Sequence, residues 1–203
     1  MFRDTRRRGG GAARAKKKEL RAAALQKRRA IGPGELAALS SLVGENVLSL
    51  KEYKEARLMI SYCAMDDEVQ TRPIIERALA EGKRVAVIVT DVSSKTLSFS
   101  EMKSFEELAP GALGILEPKE GRLRPVSIAQ ADLILVPLVA WDESGHRLGY
   151  GAGYFDRALA WSTRTKKVGL ALESQRLPQI PASRYDVPLD IIVTEKRVVR
   201  PTG

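Results

Sequence analysis

Apolar positions in this chain follow two patterns, helical spacing and short continuous runs, and the two alternate along its length. From about Ala12 to Ala30 the residues are mainly Ala, Leu, Lys, Arg and Gln, with Leu20, Ala24 and Leu25 at helical spacing. Gly32-Pro33-Gly34 breaks that pattern, and Leu36, Leu39, Val43 and Val47 then share one face of a second helix predicted from about Glu35 to Leu50. Arg57–Tyr62 is a short apolar run fitting a buried strand. Thr71 is placed to cap a helix through about Glu81, and Gly82 ends it before the strand Val85–Val89. Strand, loop, helix, glycine, strand is a βαβ unit, which requires parallel pairing and a right-handed crossover.

The stretch from Asp91 to Gln130 is less regular. Leu97-Ser98-Phe99 reads as an edge strand, Glu101–Leu108 as a helical turn, and Ser127–Gln130 as a short helical segment. Asp132–Pro137 is a core strand, a helix over 153–161 follows a glycine loop, and Val168–Ala171 and Ile191–Thr194 supply two more strands, with Val198-Val199 a last short one. Apolar runs flanked by helices predict an α/β fold of three layers, a mostly parallel sheet covered by helices. No repeat or linker divides the body, so residues 14–203 are expected to form one domain.

Composition narrows the chemistry. The 203 residues, 44% of them hydrophobic, can fill a sizeable core, and no apolar run approaches the roughly 18 residues of a membrane span. One cysteine, Cys63, excludes an internal disulfide framework and a cysteine-based zinc site; one histidine, His146, excludes HExxH zinc chemistry. Asp, Glu, Lys, Arg, Tyr and backbone amides remain as chemical actors. The net charge of +9 belongs to one end: residues 1–29 hold 12 Lys and Arg against Asp4 and Glu19, whereas the other 174 residues hold 22 basic and 23 acidic side chains. Residues 1–13, with Arg6-Arg7-Arg8 and Gly9-Gly10-Gly11, are expected to be a basic disordered arm. It lacks the apolar segment of a secretory signal, so a cytoplasmic protein is expected.

Four stretches carry candidate chemistry. In Arg147-Leu148-Gly149-Tyr150-Gly151-Ala152-Gly153-Tyr154-Phe155-Asp156-Arg157, three glycines at alternate positions permit close backbone approach to a ligand, and the helix that follows points free amides at the same place. Arg147 and Arg157 could add charge-assisted hydrogen bonds to phosphate. The spacing matches neither the Walker nor the Rossmann pattern, and by spacing alone phosphate binding and a structural glycine turn remain open. Asp66-Asp67-Glu68 lies just past the carboxyl end of strand 58–62, where α/β sheets bind ligands, but also where an acidic loop would lead into the next helix. Arg184–Asp190 reads as a polar turn fixed by Pro188. Lys17 and Arg21, four apart, share a helix face.

Together these stretches resemble the 5-formyltetrahydrofolate cyclo-ligase family, also called 5,10-methenyltetrahydrofolate synthetases. The matching pieces are KKELRAAALQKRRA, SYCAMDDEVQT, VPLVAWDESGHRLGYGAGYFDR and YDVPLDIIVTE, in the family's order and covering nearly everything from Lys17 to Glu195. GxRLGYGxGYxDR is the specific signature; KxxLR is weak alone but correctly placed. The resemblance implies a Rossmann-like sheet akin to the sugar-phosphate isomerase and CoA-transferase architecture. It implies magnesium-dependent use of ATP to close 5-formyltetrahydrofolate, in some cases polyglutamylated, to 5,10-methenyltetrahydrofolate, with ADP and phosphate released.

Carried onto this sequence, the resemblance makes Lys17 and Arg21 ATP phosphate contacts, and the stretch Arg147, Leu148, Gly149, Tyr150, Gly151, Ala152, Gly153, Tyr154 and Phe155 the ATP loop. Asp156 and Asp186 become the magnesium carboxylates, and Cys63 and Glu68 folate contacts. Tyr150 through Tyr154 would lie between the two substrates, with Tyr154 and Arg147 nearest the reaction. Ala152 stands where relatives usually carry Gly or Lys, and Phe155 where a second Tyr is common. The chain is expected to act as a monomer. A competing reading from another class makes it a nucleic-acid-associated protein that binds through its basic arm; a third, resting on architecture alone, makes it an isomerase or CoA-transferase relative.

Overall fold

The computed structural model describes residues 6–202. Its helices are α1 (Arg6–Arg29), α2 (Pro33–Ser49), α3 (Lys51–Glu55), α4 (Arg72–Ala80) and α5 (Tyr154–Leu159). Its strands are β1 (Leu58–Ser61), β2 (Arg84–Asp91), β3 (Thr96–Met102), β4 (Leu108–Pro110), β5 (Leu116–Pro118), β6 (Pro125–Val126), β7 (Leu133–Pro137), β8 (Ala140–Trp141), β9 (Arg147–Leu148), β10 (Lys166–Leu170), β11 (Ile191–Val193) and β12 (Val198–Val199).

The apolar runs form the centre of one eight-stranded sheet, ordered β12-β11-β10-β7-β1-β2-β3-β6. The five strands from β11 to β2 run parallel, and β12, β3 and β6 join antiparallel at the two sides. Every residue of β1 and Leu133–Val136 of β7 are buried, which is why these strands are continuous apolar runs rather than alternating ones. From β1 the chain crosses through α4 to β2 on one side, and from β7 through α5 to β10 on the other. Right-handed crossovers in opposite directions put α4 and α5 on opposite faces, which makes the three layers. They also make the boundary between β1 and β7 the point where the winding reverses, and ligands bind beyond the carboxyl ends of strands at such a point.

Local expectations were met unevenly, for physical reasons. The βαβ unit is β1-α4-β2, but Thr71 does not cap α4: its hydroxyl donates to the Tyr62 carbonyl (2.6 Å) and ties the loop after β1 to itself. Gly82, at φ +77°, ends the turn after α4 as expected. β3 is longer than Leu97–Phe99 and takes Glu101 and Met102 from the expected helical turn, because it pairs with β2 along seven residues. It is not the edge, since β6 pairs beyond it. α1 begins at Arg6, so residues 6–13 of the expected arm lie in a helix, while residues 1–5 lie outside those described.

Beyond these elements, the apolar face of α1 packs apart from the main core. Ala24, with Leu20 and Leu25, packs against Val139, Ala140, Leu148 and Ile180, a small second core under the β8–β9 hairpin. This lays the inner face of α1 along the glycine loop that follows β9.

Candidate active site

The loop between β9 and α5 is shaped by two of its three glycines. Gly151 (φ +100°) and Gly153 (φ +72°) occupy backbone conformations that disfavour other residues, and a Cβ on Gly151 would lie 3.1–3.3 Å from the Arg21 guanidinium. Gly149 is not in this region and has open space around it. Among the described residues, the amides of Gly149, Tyr150, Gly151, Ala152 and Gly153 donate to no protein acceptor, which leaves a run of N–H groups free for an anion. Ala152 is exposed without a positive φ, so no glycine is required there, and Phe155 packs half-buried against the main core. α5 is only six residues long, shorter than the helix expected over 153–161.

α1 meets this loop with a row of cations. Lys17 Nζ donates to Asp186 Oδ2 (2.5 Å), and Arg21 Nε donates to the Gly149 carbonyl (2.6 Å). The loop before β11 thereby reaches the same place as the glycine loop. Burial works to raise the Asp186 carboxyl, but Lys17 and the Ser183 donors outweigh it and hold the group below its ordinary range.

Asp156, in the first turn of α5, accepts from Arg147 Nη2 (2.8 Å) and from the Val187 amide (3.2 Å), next to Asp186 in sequence. The two carboxylates thus stand on contacting segments. One oxygen of each, Asp156 Oδ2 and Asp186 Oδ1, accepts from no protein donor among the described residues. Arg147 is placed differently from the expectation. The residue is 8% exposed, its guanidinium is committed to Asp156 and the Val187 carbonyl, and burial lowers its pKa. It orients the loop and a carboxylate rather than reaching into open space.

At the other end of the α1 face lies a network the sequence reading did not find. Arg28, 3% exposed, pairs with Asp67 (Nη2 to Oδ1 2.9 Å, Nε to Oδ2 3.2 Å), donates to the Leu138 carbonyl (3.3 Å) and to the Tyr150 hydroxyl (2.6 Å). Tyr150 donates in turn to Glu68 Oε1 (3.1 Å), and the Met65 amide donates to Oε2 (3.0 Å). Leu138 follows β7 and Asp67 follows β1, so Arg28 sits where the winding reverses. Its signal was visible in outline: Lys17, Arg21 and Arg28 are spaced by four and seven, one helix face about 16 Å long.

Burial raises the Glu68 carboxyl above its ordinary range and pushes the Tyr150 hydroxyl up to about 12. Cys63, just beyond β1, is buried, and burial pushes its thiol up to about 12, so it is a neutral neighbour and not a nucleophile at neutral pH. Tyr154 is half-buried, with the Arg157 guanidinium 5.6 Å from its ring centroid. Arg157 itself holds the Ala152 carbonyl (3.1 Å) and the Lys95 carbonyl at the β2–β3 turn (2.9 Å from Nε).

Comparison with known proteins settles which family this arrangement belongs to. The model of the family described as the 5-formyltetrahydrofolate cyclo-ligase family matches residues 13–195. The chain belongs to that family. A curated cyclo-ligase from Escherichia coli (strain K12) is 31% identical over 176 residues, 85% of this chain and 97% of that protein. The mouse (Mus musculus) cyclo-ligase is 30% identical over 186 residues, 87% and 92% of the two chains. The solution structure of Aquifex aeolicus 5,10-methenyltetrahydrofolate synthetase superposes with a TM-score of 0.81 at 36% identity, covering 92% of this chain and 93% of that one. As a cyclo-ligase family member the chain is an enzyme with this α/β fold, and nucleotide use is implied for it. The described residues contain no helix long and apolar enough to cross a membrane.

Proposed function

We propose that this enzyme closes 5-formyltetrahydrofolate to 5,10-methenyltetrahydrofolate, using ATP and magnesium and releasing ADP and phosphate. The observation that carries the reading is the convergence of Lys17, Arg21, the unspent amides of the glycine loop and two carboxylates on contacting segments of a cyclo-ligase fold.

In this reading the formyl oxygen takes the γ-phosphoryl group of ATP, and its carbon becomes an electrophilic iminium centre. The neighbouring folate amine attacks that carbon and loses its proton, and phosphate leaves with the former formyl oxygen. The protein has little covalent chemistry to do. Its work is alignment and neutralisation of charge on the transferring group. Lys17, Arg21 and the loop amides hold phosphate oxygens; Tyr154 flanks the formyl group; Glu68 accepts from the donor-rich pterin edge, and Cys63 is a second folate contact.

Asp156 and Asp186 would hold the magnesium ion. Their free oxygens are hard donors suited to it, and the described residues contain no cluster of three or more ligating side chains. That fits an ion that takes one or two protein carboxylates and completes its shell with phosphate oxygens and water. When bound it supplies positive charge against the phosphates. Arg147 holds Asp156 in place through its 2.8 Å contact. The test is the rise in absorbance as the methenyl product forms from 5-formyltetrahydrofolate. The reading requires formation with both ATP and magnesium and none when either is omitted; product formed without ATP, or no product at all, would refute it.

A further inference from the structure

The Arg28 side chain bonds three walls of the site, the loop after β1, the end of β7 and the glycine loop. The reaction described above does not use it. Its bonding fixes the direction of a chain of protons. A guanidinium only donates, so the Tyr150 oxygen must accept from Arg28 and send its own hydrogen onward to Glu68 Oε1. The Met65 amide, also only a donor, occupies Glu68 Oε2. Both oxygens of a nearly buried carboxyl are therefore addressed by donors, and these donors favour its ionised form. The guanidinium also lies 5.5 Å from the Tyr150 ring centroid, which holds the phenol by its ring as well as its hydroxyl.

We propose that Arg28 is a positioning residue that fixes Glu68 as an acceptor-only carboxylate, so that the site selects a ligand edge carrying N–H donors, the aminopyrimidinone edge of the pterin. The inference rests on the folate reading above and adds the device that sets its specificity. The groups facing Glu68 are Arg28 from α1, Asp67 on its own loop, Tyr150 from the glycine loop and Tyr62 at the end of β1. Burial is the largest influence and favours the proton. The Met65 amide, Arg28 and Tyr150 oppose it, and Asp67 reinforces it. Removing Arg28 therefore moves Glu68 further toward the protonated form, and the loss of binding should grow as pH falls.

The experiment measures kcat and KM for 5-formyltetrahydrofolate and for ATP, from acid to mildly alkaline pH, in Arg28→Met, Arg28→Lys, Tyr150→Phe and the Arg28→Met/Tyr150→Phe double variant. Arg28→Met should raise the folate KM about tenfold, the scale of a lost charge-assisted hydrogen bond, with the ATP KM unchanged. The acid limb of kcat/KM should move to higher pH. Arg28→Lys should recover part of that movement. Tyr150→Phe, altering only a hydroxyl on a residue 47% exposed, should fold normally and show the same direction. Because both residues act through Glu68, the double variant should be little worse than the poorer single one. A pH profile unmoved in Tyr150→Phe and Arg28→Met, or folate and ATP KM values rising together at every pH, would overturn the inference and leave Arg28 a mere fastener of α1. Absence of ring closure in the unaltered enzyme would instead overturn the functional reading.

Discussion

Replacing Lys17 by Ala isolates the contribution of α1 to the nucleotide site. Lys17 Nζ and Asp186 Oδ2 are 2.5 Å apart, and the side chains are 17% and 23% exposed, so the pair is sheltered from solvent. The carboxyl is held below its ordinary range. A depressed acid of this kind stabilises the fold above the ordinary aspartate range and loses that contribution as pH falls through the depressed value. At neutral pH the substitution therefore leaves Asp186 ionised, without its counter-charge, where the proposed phosphates bind. A charge-assisted hydrogen bond is worth about 1.5–3 kcal/mol, which converts to roughly a tenfold to hundredfold rise in the KM for ATP. Thermal stability should fall much less, by about 1 kcal/mol or under, since the helix keeps its packing in the second core. The assay is the initial rate of methenyl formation with ATP varied at saturating folate, then the reverse. Folate KM should stay near its starting value, and Arg21→Ala should behave like Lys17→Ala. Lys16→Ala is the control, because Lys16 is exposed and bonds only Glu19 (3.0 Å) among the described residues. ATP kinetics unchanged in both Lys17→Ala and Arg21→Ala, or equally disturbed in Lys16→Ala, would refute the reasoning.

Asp156→Asn and Asp186→Asn should each weaken the apparent magnesium affinity in the ATP-dependent rate and slow turnover with the fold retained; wild-type magnesium dependence in both would place the metal elsewhere. With two carboxylates to hold the ion and phosphate oxygens to complete its shell, calorimetry should detect magnesium binding only when ATP is present. Deleting residues 1–13 should leave ring closure within a few-fold, since every proposed site lies beyond them; loss of activity in a folded truncation would make that segment part of the catalytic unit. Cys63 should resist thiol-modifying reagents in the native enzyme at mildly alkaline pH and react on unfolding, because it is buried with its thiol near 12; rapid native modification would contradict that placement.

The parallel core was readable because the central residues of its strands are buried on both faces, so β1, β2, β7, β10 and β11 announce themselves as short apolar runs. The segment from Asp91 to Gln130 was not. There β3 takes its length from pairing with β2 over residues that mix Ser, Glu and Thr with apolar ones, and no local pattern reports a partner strand. At the site, the glycine loop and the carboxylates could be picked out by residue type, but what each side chain touches could not. Arg147 and Arg28 show this in opposite directions. Arg147 stands in the signature yet is spent on Asp156 and Val187, whereas Arg28 looks like one more cation in a basic helix yet lies buried at the winding reversal. Arg28 owes its burial to the packing of α1 against the second core, which no pattern within α1 reports.

The central claim is that the formyl oxygen is the acceptor of the phosphoryl group. Its most direct test is to supply 5-formyltetrahydrofolate labelled with oxygen-18 in the formyl group, with ATP and magnesium, and to follow the label by mass spectrometry. The account predicts one ADP for each methenyl product and the label recovered in inorganic phosphate. Label released as water, or ring closure without matching ADP, would contradict it.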